Sequence, residues 1–174
     1  MRNILVLIFS ALVLAFPLAA TAQEEPPACV SPGAPLPTEL AGWTTPAPLV
    51  SAAKPAELPK AALTVGAGAT AALHQTADVA YVVLPEKPGG SVSQGGMFSL
   101  TIEQAGTYVV AIGSGAWIDV LKGKTSMAST AHGRGPACST IHKMVDFPMQ
   151  PGSYVIQVSA NADPTLAIMV ARRP

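Results

Sequence analysis

From residue 61 onward the chain is a succession of short apolar runs, each closed by glycine, proline or a polar turn, and none carries a sustained helical period. That punctuation constrains the fold more than any other feature. Runs of four to eight residues that alternate apolar and polar side chains bury one face of a pleated strand. Residues 97–102 show this directly: Phe98, Leu100 and Ile102 fall on one face, Ser99 and Thr101 on the other. Residues 107–112 place Tyr108, Val110 and Ile112 together. After the Gly113-Ser114-Gly115 turn, residues 116–121 (AWIDVL) set Trp117, Asp119 and Leu121 against Ile118 and Val120. Lys122-Gly123-Lys124 is a tight hairpin signal.

The remaining runs extend the pattern. Residues 61–74 read as strand, turn at Gly66-Ala67-Gly68, and strand; residues 78–84 (DVAYVVL) are β-branched and aromatic and end at Pro85. Residues 125–129 read as a short return strand and 131–139 (AHGRGPACS) as a loop. Residues 141–147 alternate with Ile141, Val145 and Phe147 inward and Lys143 against the pattern; 153–159 and 166–170 close the chain. Ala105-Gly106-Thr107-Tyr108-Val109-Val110 is echoed by Pro151-Gly152-Ser153-Tyr154-Val155-Ile156, two turns that open onto similar strands. The expected fold is all-β: an antiparallel sandwich, jelly-roll-like or immunoglobulin-like, of about eight strands.

The first 60 residues are of another kind. Residues 1–22 combine a basic start at Arg2, an apolar run over 4–16 and Ala20-Thr21-Ala22, the pattern of a secretory signal peptide cleaved after Ala22. The run is shorter than the roughly 20 residues a spanning helix needs, so no membrane span is expected in the mature chain. Residues 23–60 are rich in proline, which fixes its own φ and biases its predecessor toward extended backbone. They read as an extended arm leading to a sandwich domain over 61–174, with Leu40, Trp43 and Leu49 spaced to anchor it. A periplasmic or secreted location makes a Cys29–Cys138 disulfide the economical use of the two cysteines.

Lysines plus arginines number 10, as do aspartates plus glutamates, and no run of like charge occurs. Nothing therefore draws the chain to nucleic acid or to an anionic membrane. A small molecule, a glycan or an envelope protein remain as partners. No G-x-S-x-G elbow, P-loop or dinucleotide fingerprint is present.

Three groups of residues could carry chemistry. Trp117 and Asp119 share a strand face, where an aromatic ring beside a carboxylate suits a sugar; the plainer reading is an ordinary solvent face, with Asp119 bonded to Lys143 or Arg134. Trp43 is either a cover over a sheet edge or a stacking platform for a ligand. His132 and His142, with Asp119, offer two imidazoles and a carboxylate for zinc or iron; the alternative is loop histidines bonded to backbone. No cofactor is expected on the leading reading, with iron, zinc or copper as the metals a histidine site would take. The spacing Cys138-x3-His142-x-Met144, with His74 upstream, resembles the ligand loop of blue-copper proteins, but a disulfide sulfur cannot be a thiolate ligand.

Two wider resemblances rest on quoted segments. AGTYVVAIGSG, WIDV and PGSYVIQVS, within residues 95–171, resemble the pre-peptidase C-terminal type of domain, which implies a non-catalytic accessory or binding role. AWIDV, STAHGRGPACSTIHKMVDF and PGSYVIQVS resemble short exported proteobacterial proteins that sometimes carry the name homogentisate 1,2-dioxygenase, a name that implies an iron enzyme. The iron site of true homogentisate dioxygenases uses two histidines and one glutamate in an H-x5-E-x-H arrangement. This chain has none, so no catalytic residue carries over. The leading expectation is a non-catalytic binding protein. A metal-dependent dioxygenase using His132 and His142 and a structural envelope protein are the alternatives.

Overall fold

A computed structural model describes Cys29 and residues 35–174. The expected signal peptide lies outside the described residues. In chain order the strands are β1 (Ala47–Val50), β2 (Ala62–Leu63), β3 (Gly68–Ala72), β4 (His74–Gln75), β5 (Gln94–Ile102) and β6 (Gly106–Ile112). They continue with β7 (Trp117–Lys122), β8 (Thr125–Ser126), β9 (Ala131–Gly133), β10 (Lys143–Met149), β11 (Gly152–Asn161) and β12 (Thr165–Arg172). Short 3-10 helices span Thr38–Thr44, Pro55–Lys60 and Thr76–Asp78.

The strands form the expected sandwich. The first sheet has the order β1-β3-β12-β6-β10-β9; the second has β2-β5-β11-β7-β8, with β4 also paired to β5. Pairing is antiparallel except where β1 joins β3 and β2 joins β5. β1 comes from the proline-rich segment and β2 from just after it, and each lies at the edge of its sheet. The arm is therefore not only extended chain before residue 60: it contributes one strand, β1, and two 3-10 helices. Proline permits this because edge positions and first helical turns do not need its missing N–H.

Alternation sets the core. Phe98, Leu100 and Ile102 of β5, Tyr154, Ile156 and Val158 of β11, and Ile118 and Val120 of β7 face Tyr108, Val110 and Ile112 of β6, Val145 and Phe147 of β10, and Ile168 and Val170 of β12. The two inner faces exclude water between them, as period-two strands require.

A second, smaller core lies on the outer face of the first sheet. Leu40 and Trp43 of the first 3-10 helix cover Val109, Ala111, Met169 and Ala171, together with Ile141. Covering both faces of β6 explains why residues 107–112 read as a nearly continuous apolar run. The helix sits close because glycines meet there: a Cβ on Gly42 would strike the Gly66 carbonyl, and one on Gly68 would strike that of Gly42. Trp43 is thus a cover, its Nε1 donating to Thr140 Oγ1 at 2.8 Å, and not a ligand platform. Arg173 tightens the same seam, pairing with Asp146 at 3.0 Å and Glu39 at 3.9 Å.

Four local expectations are corrected. Twelve strands are present among the described residues, because short edge strands carry little sequence signal. Residues 131–139 are not all loop, since β9 pairs with β10. Ile141 packs under the arm instead of between the sheets. Residues 78–84 form no strand: after the Thr76–Asp78 turn they cross the outer face of the second sheet as irregular backbone.

Candidate functional site

The outer face of the second sheet holds the residues singled out from β7. Registers place Asp119 beside Gln157 and Trp117 beside Ser159. Gln157 is buried, and its amide replaces a strand partner for the crossing segment: Val82 N–H and Val83 N–H donate to Oε1 at 2.8 and 3.2 Å, while Nε2 donates to the Val83 carbonyl at 2.8 Å. Ser159 Oγ donates to the Lys87 carbonyl at 2.8 Å, and Tyr81 Oη to the Val158 carbonyl at 2.9 Å. Buried polar groups need such partners, so these bonds fix the segment over the sheet.

That strap brings Lys87 over Trp117, its Nζ 4.6 Å from the ring centroid. Lys143, at the start of β10, reaches across from the first sheet. Its Nζ lies 5.4 Å from the same ring and donates to the Ala116 carbonyl at 2.9 Å. Trp117 Nε1 donates to Asp119 Oδ1 at 3.0 Å. The neighbours expected from sequence do meet, but the ring is engaged by two ammonium groups instead of being presented bare to a sugar. Partial burial pushes the Asp119 carboxyl above the usual range against the opposing hydrogen bond from Trp117, and Glu86 adds to the rise. Burial, then the neighbouring Lys87, lowers the Lys143 ammonium. Burial raises the Tyr81 phenol.

The histidines do not gather. His74 Nε2 donates to the Ser51 carbonyl at 2.9 Å from β4, in the second sheet. His132 is exposed on β9, at the edge of the first sheet, beside a depression of about 130 Å³ that Met144, Asp146 and Arg173 also line. His142 is exposed just before β10, held by its backbone N–H to the Ile112 carbonyl. Asp119 lies on β7, in the opposite sheet from His132. Among the described residues no three His, Cys, Asp or Glu side chains form a group that could hold a metal ion. The proposed His132–His142–Asp119 centre is not assembled, because its members come from different sheets. The copper arrangement fails on its sulfur: Cys138 is bonded to Cys29, and Met144 packs against the arm.

A roomier concavity than the one beside His132 lies elsewhere. A cleft of about 460 Å³ opens where the chain crosses from β2 to β3, lined by Leu63, Thr64, Val65, Ser99, Thr101, Glu103, Gln104, Tyr108 and Arg172 among others. Its turn is rigidly held: Tyr108 Oη donates to the Gln104 carbonyl at 2.8 Å and Arg172 Nη2 to the Ala105 carbonyl at 3.1 Å. Ser99 Oγ donates to the Leu58 carbonyl at 2.9 Å, so it is not paired with a base. The arrangement can bind, with hydroxyls, an amide and both signs of charge over an apolar floor. None of these residues stood out in sequence as a site, because each is an ordinary type and the set is drawn from four separate stretches: 62–65, 99–104, 108 and 172.

The architecture defines an all-β, two-sheet sandwich stapled by one disulfide. No protein-family model, curated protein or solved structure matches the chain.

Proposed function

We propose that this chain is an exported, non-catalytic binding protein that holds a small polar molecule in the cleft between β2, β5 and the end of β12. The cleft itself carries the reading: its size lies within the roughly 300–1,000 Å³ of ligand pockets, and it mixes apolar floor with a few polar groups. Export is supported by the pattern of residues 1–22 and by the Cys29–Cys138 bond, which oxidising compartments maintain. No helix among the described residues is long and apolar enough to cross a membrane.

A thermal-shift screen of the mature protein against neutral sugars, polyols, amino acids and dicarboxylates tests the proposal, with Thr101→Trp as a plug in the cleft. Stabilisation by a compound that disappears in the plugged variant supports it. Stabilisation that persists in the plugged variant moves the binding surface away from the cleft and overturns it, as does a screen with no stabilising compound.

A further inference from the structure

Among the described residues, the two charges at the rim of the cleft have no salt-bridge partner. Arg172 belongs to the inward row of β12, after Leu166, Ile168 and Val170, and emerges where the sandwich interior ends. Its guanidinium lies flat against Gly106: a Cβ there would stand 2.9 Å from Nε, 3.4 Å from Nη2 and 3.6 Å from Cζ. The bare glycine and the Ala105 carbonyl together set its direction, and only one of its N–H groups is used. The neighbouring Arg173 behaves differently, spending its charge on Asp146 and Glu39. Among the described residues Arg172 has no carboxylate partner within 4.0 Å, and Glu103, on the turn before Gly106, has no cationic one.

An oriented guanidinium and a carboxylate on one cleft, held apart by a fixed turn, select their ligand by charge. A purely anionic ligand meets Glu103, a purely cationic one meets Arg172, and a neutral sugar leaves both unpaired. We infer that the cleft takes a small zwitterion, an amino acid or dipeptide whose carboxylate lies on Arg172 and whose ammonium lies on Glu103. Thr64 and Thr101 line the same cleft and bring hydroxyls able to bond a dipeptide's amide. Guanidinium recognises carboxylate through parallel N–H donors, so the arginine end supplies most of the directionality. The inference rests on the cleft being the binding surface.

The test is an amide-resolved NMR titration of the mature protein, reading residues 62–65 and 103–106. The probes are glycylalanine, N-acetyl-glycylalanine, glycylalanine amide and glucose. Glycylalanine alone is expected to shift these signals to saturation. Arg172→Gln and Glu103→Gln, both at exposed positions, are each expected to weaken it at least tenfold with far-UV circular dichroism unchanged. Equal binding by the acetylated or amidated peptide, or undiminished binding by either variant, overturns the zwitterion. Glucose saturating the cleft while glycylalanine does not overturns the zwitterion and leaves the cleft as the binding surface. Silence from all four probes at these residues overturns the inference and, joined to an empty thermal-shift screen, the binding reading as well.

Discussion

Trp43→Ala tests whether the proline-rich arm is part of the folded core. Trp43 is 8% exposed and caps an apolar patch of Leu40, Val109, Ala111, Met169 and Ala171. A tryptophan side chain of about 200 Å² at about 25 cal/mol per Å² gives an upper estimate of about 5 kcal/mol. A compact unfolded chain already hides roughly 10–40% of that area, and alanine keeps a share, so about 3 kcal/mol remains. The lost bond to Thr140 Oγ1 adds little, because Thr140 is exposed and water replaces the donor. The expected loss is about 3 kcal/mol, or a Tm lower by about 6–12 °C for a domain of this size. Urea unfolding followed by far-UV circular dichroism measures it without depending on tryptophan emission. Trp117→Ala, at a half-buried ring on the other sheet, serves as comparison and should cost about 1–2 kcal/mol. A Trp43→Ala loss below about 1 kcal/mol would refute the reasoning and leave the outer face of the first sheet uncovered in solution.

Other consequences are as direct. The Cys29–Cys138 bond spans 109 residues of sequence, so replacing both with serine should cost about 4.8 kcal/mol on the loop-closure estimate, read as a lower urea midpoint with a larger m-value. Asp119 has a folded pKa raised above its ordinary 3.8, so its favourable contribution is complete below 3.8 and is lost as pH rises through the folded value. Asp119→Asn keeps the acceptor for Trp117 Nε1 and should therefore match or exceed the wild type in stability at neutral pH, the difference closing below pH 3.8 in paired unfolding curves. Ser51 Oγ is buried without a hydrogen-bond partner, and Ser51→Ala should raise stability by about 1 kcal/mol in the same assay. A lower midpoint would place a bound water there.

Much of the sandwich was legible because burial on one face forces alternation. Phe98, Leu100 and Ile102, and Tyr108, Val110 and Ile112, lie where their period put them. What was missed has a common cause: side chains from distant segments doing work that local pattern attributes to backbone. Residues 78–84 have the composition of a strand, but the Gln157 amide takes their hydrogen bonds, and nothing in DVAYVVL reports on a glutamine 75 residues away. The arm's prolines argued for extended chain, while Leu40 and Trp43 needed a turn to reach the sheet. Trp117 and Asp119 were visible as neighbours because they are two residues apart on one strand. The lysines that engage the ring come from a loop and from the opposite sheet, beyond any local reading. The cleft was hidden for the same reason.

The position of β12 has a consequence in time. β12 follows the other eleven described strands in sequence, yet it is not at a margin: it lies between β3 and β6, and without it the first sheet falls into two unconnected pieces. β1 and β3 can pair with each other, but they join the rest of their sheet only through β12. Synthesis must pass residue 170 before the two halves of that sheet can be joined. Deleting β12, Thr165–Arg172, should therefore yield material that does not fold, whereas loss of a short edge strand such as β8 should be survivable.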